Sequence, residues 1–73
     1  MRTLIINFAN PVQVGFCFGH PASYGPPCIA KAAQLDAARE ECQTSPDGMA
    51  QVGPYRLDES DVTTLIDAAG ARA

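Results

Sequence analysis

Apolar and polar positions alternate with a period of two through the first eighteen residues, and with the helical period in the fourteen residues from Leu57 to Gly70. Along residues 2–8, Leu4, Ile6 and Phe8 share one side and Thr3, Ile5 and Asn7 the other. Ala9-Asn-Pro11 supplies a turn. A second run then places Val12, Val14, Phe16 and Phe18 on one face, and Gln13, Gly15 and Cys17 on the opposite one. The larger apolar face is the core face, so a β-hairpin is expected, with Cys17 on its other side and open to exposure.

The helical third is the stretch from Leu57 to Gly70. Val62, Leu65, Ile66 and Ala69 recur at i, i+3, i+4 and i+7, one stripe of a helix. Asp58 is placed as N-cap with Asp61 three residues on, and Leu57 and Val62 hold the two staple positions. Gly70 is expected to end the helix as its C′ residue. The acidic first turn suits the positive end of the helix dipole.

Between these lies Cys28–Cys42, a run with five alanines and no internal Gly or Pro, preceded by Pro26 and Pro27, where a helix would begin. Its large apolar residues Ile29 and Leu35 point apart on the helical wheel, so its amphipathicity is weak. Ser45-Pro-Asp-Gly48 reads as a turn, because Pro sets φ and Gly permits φ > 0. Residues 49–56 read as a third strand that Pro54 confines to an edge or terminates. The expected fold class is α+β, one compact domain over residues 1–73 in the order β-β-α-β-α. A three-stranded antiparallel sheet carries two helices on one face. The other sheet face, bearing Ile5, Gln13 and Cys17, is left for solvent or a partner.

Length and charge narrow the function. A chain of 73 residues is one domain near the lower limit for a self-sufficient core. No run approaches the ~18 apolar residues of a membrane span. The net charge is −3, and the five basic residues, Arg2, Lys31, Arg39, Arg56 and Arg72, are scattered. Nucleic-acid binding needs a clustered basic face, so direct binding is not expected. An acidic mimic of nucleic acid would carry more charge than this.

The single histidine and the three cysteines hold the candidate chemistry. Cys17 and His20 have a C-x2-H spacing that suits zinc, and Cys28 follows His20 after seven intervening residues. A continuous helix would put Cys42 ~21 Å from Cys28, too far for one ion or a disulfide. An odd cysteine count without a secretory leader implies reduced thiols and a cytoplasmic setting. A Cys17–His20 nucleophilic dyad lacks an oxyanion hole and a cleft. His20 is expected instead to pack its ring on Pro21 or Tyr24.

No nucleotide-binding, metalloprotease or hydrolase motif occurs. The expectation is therefore a non-enzymatic protein-binding module without cofactor or metal. It would act as a stoichiometric inhibitor or adaptor that occludes another protein or protein complex. An anti-CRISPR-like inhibitor from a mobile element such as a phage is the concrete version, taken from size and charge alone. The stiff segment Gly19–Pro27, with His20 and Tyr24 at its tips, and the acidic helix positions Asp36, Glu40 and Glu41 are the expected contact surface. Two alternatives stand beside it: a metal or redox module using Cys17, His20 and Cys28, and a structural subunit dimerising through the open sheet face.

Overall fold

From Val14 to Phe18 five successive residues of the central strand are buried: Val14, Phe16 and Phe18 under the core, and Gly15 and Cys17 on the other side among side chains of the neighbouring strands, with the Phe8 ring over Gly15. The computed structural model describes residues 3–20 and 23–70. Its elements, in chain order, are β1 (Thr3–Ala9), β2 (Gln13–His20), β3 (Ser23–Tyr24), β4 (Cys28–Lys31), α1 (Ala32–Thr44), β5 (Met49–Val52), β6 (Tyr55–Asp58) and α2 (Glu59–Gly70). The architecture is α+β with two helices and antiparallel sheets. It has six strands in two sheets, where the sequence reading had three strands in one.

In the first sheet β1 pairs with one edge of β2, while β3 and β4 share the other edge at different positions along it. The turn from β1 to β2 is organised by Asn10, whose Oδ1 accepts the amides of Val12 and Gln13, each at 2.9 Å. The second sheet is the β5–β6 hairpin. Gly53, with φ +58, and Pro54 make its two-residue turn, so Pro54 sits at a hairpin tip and the chain pairs back through β6. The Ser45–Gly48 turn forms as expected. The Gly48 amide donates to the Ser45 carbonyl at 3.1 Å, and Gly48 has φ +70. Asp47 steadies it by accepting from Ser45 Oγ at 2.6 Å and from the Met49 amide at 3.1 Å, and it also pairs with Arg56. The Ser45 bond, then the Met49 amide, hold this carboxyl below its ordinary range.

The first helix differs most from expectation. Cys28–Lys31 is a strand, and α1 begins only at Ala32. Pro27 restricts Pro26, and both feed an extended segment. The free edge of β2 then offers Cys28–Lys31 a ladder worth more than a loosely anchored helical turn. The ladder runs into the helix, where the Ala32 amide donates to the Val12 carbonyl at 2.7 Å and serves in place of a side-chain cap. Ile29 therefore lies in the sheet and not on the helical wheel.

Both helices and the second hairpin pack on the face of the first sheet that carries Val14, Phe16 and Phe18. Leu35, Ala38 and Cys42 of α1 enter the core with Ala50, Val52 and Leu57 of the hairpin and Val62, Leu65 and Ala69 of α2. Tyr55 closes one end, its ring 5.8 Å from that of Phe16 and 5.2 Å from that of Phe18, while its hydroxyl donates to the Pro26 carbonyl. The last helix follows the sequence reading: Asp58 Oδ1 accepts the Asp61 amide at 2.8 Å, and Leu57 and Val62 are fully buried. Gly70 is the final residue of that helix and has no positive φ, so it is not the left-handed C′ that was expected. Among the described residues the helices and the second hairpin thus all lie on one side of the first sheet, and the smallest Cα extent is 16 Å.

Candidate functional site

The uncovered face of the first sheet is built by parity along β2. Gln13, Gly15, Cys17 and Gly19 point away from the core, and residues opposite them in the ladders point the same way. Ile5 stands opposite Cys17, Ile29 opposite Gly15, Lys31 opposite Gln13, and Tyr24 opposite Gly19.

Phe8 joins them through a register shift. The ladder passes from Ile6 opposite Phe16 to Phe8 opposite Gly15, which leaves Asn7 as an extra residue in β1. This bulge turns Phe8 from the core side, where strict alternation puts it, to the open side. Its ring lies across Gly15, since a Cβ there would be only 2.3 Å from the Phe8 ring. Gly19 serves a different approach: a Cβ there would be 2.4 Å from the Tyr24 Cα and 2.7 Å from the Ser23 carbonyl oxygen, with the Tyr24 ring next at 2.9 Å, so its bareness lets the backbone of β3 close on β2.

The result is a shallow apolar surface. Phe8, Tyr24 and Ile29 remain 42%, 53% and 59% exposed, with half-buried Ile5 between. Such a cluster is more informative than isolated exposed apolar residues. None of the eight carboxylates of the chain belongs to this face; they lie on α1, in the Asp47 turn, at the end of β6 and on α2. Lys31 is its one described charge.

The expected contact residues do not form one surface. Tyr24 lies on the open face. His20 ends β2 with the opposite parity, paired with Ser23, and belongs to the β2–β3 hairpin, not to a free loop. Pro21, its suggested packing partner, lies outside the described residues. Asp36, Glu40 and Glu41 are exposed on α1, in the layer on the far side of the sheet. Phe8 and Ile29 were not singled out from the sequence. The alternation in Cys-Ile-Ala-Lys31, with Ile29 and Lys31 out, was the available signal for the second of them.

The cysteines are also separated. Residues three apart on a strand point to opposite faces, so Cys17 and His20 cannot act together as the spacing alone suggests. Cys17 is on the open side yet only 7% exposed, which corrects the expectation of an accessible thiol. Cys28 faces the core side beside Gly53, and Cys42 donates from within the core to the Leu57 carbonyl at 3.6 Å. Burial pushes both of these thiols up; at Cys42 the carboxylates Glu59, Glu41, Asp58 and Asp47 add to it. High thiol pKa values disfavour the thiolate needed for attack or for metal. Among the described residues no three metal-ligating side chains converge, no cavity opens, and no helix is long and apolar enough to cross a membrane.

No family model matches the chain, and no curated protein or solved structure is significantly similar to it.

Proposed function

We propose that this chain is a non-enzymatic protein-binding module that lays the uncovered face of its first sheet on a flat apolar patch of a partner protein. One observation carries the reading: three large apolar side chains gather on the face of that sheet that no described helix or hairpin covers, and no carboxylate interrupts them. Aromatic side chains have few rotatable bonds, lose little entropy on binding and are favoured contact residues. A face without acids desolvates cheaply, whereas the carboxylates elsewhere would not. Tyr24 is kept from the surface expected on sequence grounds; Phe8 and Ile29 replace the acidic positions of α1. The action is occlusion at fixed stoichiometry, as inhibitor or adaptor. A nuclease complex of a defence system is the concrete target that size and charge suggest.

The test is affinity capture with the wild-type chain, followed by titration calorimetry with the purified protein it retains. Tyr24→Lys and Ile29→Lys each weaken that binding tenfold or more, about 1.4 kcal/mol per decade. A Glu40→Lys, Glu41→Lys double variant leaves it within a few-fold. The reverse pattern moves the site to α1 and rejects the face. Binding to lipid vesicles with no protein partner rejects the reading altogether.

A further inference from the structure

We propose that β1 is a dimerisation edge, and that two copies of this chain pair antiparallel through it to join their first sheets. β1 has one ladder partner, β2, and no other described strand pairs with its outer edge. None of its seven residues is buried. Edges of soluble proteins are commonly protected by charge, proline or a covering element. Thr3-Leu-Ile-Ile-Asn-Phe-Ala9 has no charge and no proline, and its one protective device, the bulge at Asn7, acts only beyond Ile6.

Ile6 supplies a second observation. It points to the helix-covered face, opposite Phe16, yet is 39% exposed because the cover stops short of the sheet margin. Something lying beside β1 would complete its burial.

The occupant is a second copy, because the strand is self-complementary. A twofold axis at Ile5 sets Ile5 against itself on the open face. On the core face it sets Leu4 of each copy against Ile6 of the other. Thr3 then stands opposite Asn7 at the ends of the pairing. Every pair is apolar with apolar or polar with polar, and no like charges meet.

Area gives a further argument. Eight residues at ~3.3 Å and three strand positions at ~4.8 Å make one open face about 26 by 14 Å, or ~360 Å² in projection. That is less than half of the ~800 Å² per partner of a standard interface. Edge pairing about an axis normal to the sheet sets both open faces side by side and doubles the area. The pairing itself stands on the edge strand and does not depend on the face having a partner.

The experiment is native mass spectrometry and light scattering of the full chain across a dilution series. We expect a species of twice the 7.7 kDa chain mass that dissociates on dilution. Ile6→Lys weakens self-association about tenfold or more with an unchanged circular dichroism spectrum, and Ile29→Lys leaves it intact. A wild-type chain that stays monomeric throughout overturns the proposal and leaves the face reading untouched. So does a dimer that survives Ile6→Lys but is broken by Ile29→Lys, which would be face-to-face stacking. Should Ile6→Lys fail to fold, amide exchange of the wild type decides. Amides of Leu4–Asn7 slow with rising concentration if the edge pairs, and concentration-independent exchange rejects it.

Discussion

Phe8 and Phe16 are neighbouring aromatic residues of one hairpin, and truncating each to alanine separates the bulged register from strict alternation. Phe16 is fully buried, its ring 5.9 Å from that of Phe18 in an edge-on pair. Removing it leaves a cavity as well as lost transfer energy, about 3–5 kcal/mol. A chain of 73 residues has a total stability of roughly 4–11 kcal/mol, so Phe16→Ala consumes much or all of it. Phe8 is 42% exposed. Burying a Phe fully contributes about 1.5–3 kcal/mol, so the covered part of Phe8 contributes roughly 1–1.7 kcal/mol, and water fills the space it vacates. At 4–8 °C per kcal/mol, Phe8→Ala lowers Tm by about 4–14 °C, a folded protein throughout. Urea titrations followed by far-ultraviolet circular dichroism give both free energies, with thermal melts as the check. Equal costs for the two substitutions would put Phe8 in the core beside Phe16 and refute the bulge. The open face would then lose its central aromatic residue, and the binding proposal with it.

Other expectations follow from single interactions. Asp58→Ala removes the acceptor of the Asp61 amide at the start of α2 and costs about 1 kcal/mol, while Asp58→Asn restores most of it; a melt in which both variants match wild type removes the cap from the account. Cys42 gives a pH dependence. Its thiol is raised in the folded state by burial first and by neighbouring acids second. The unfolded thiol therefore loses its proton first, near its ordinary pKa of ~8.5. The stability contribution is whole below that pH and is lost as pH rises through the higher folded value. Cys42→Ala should flatten the decline in stability above about pH 8.5, and an identical slope in the variant argues against the buried thiol as its source.

Legibility of the fold tracked the range of the interactions involved. The last helix was readable because its cap, staple and stripe all lie within fourteen residues, Leu57–Gly70, and need no distant partner to define them. The Asn10 turn and the Ser45–Gly48 turn were readable for the same reason. The strand Cys28–Lys31 was not. Its composition favours a helix, and what reverses the choice is the free edge of β2, more than ten residues earlier in the chain. The second sheet was half visible: Pro54 was read as confining a strand to an edge or ending it, where with Gly53 it makes the turn of a hairpin.

The candidate site lay at the same boundary. Alternation correctly put Ile5, Gln13 and Cys17 on the face away from the core. It placed Phe8 on the wrong side, because a bulge is a property of two strands in register and not of either one alone. It left Ile29 on a helix that does not reach it.

What the sequence by itself determined is the α+β class, the antiparallel pairing of the first two strands, the local turns and the capped last helix. These follow from periodicity, capping and backbone restriction, which act over a few residues. Only the tertiary structure decided that β1 is left as an edge among the described strands, and that Phe8, Tyr24 and Ile29 meet on the side away from the helices. Those outcomes depend on which strand edge a distant segment finds and on one extra residue in a ladder. A one-residue change in register exchanges the buried and exposed faces of a strand while its sequence stays the same.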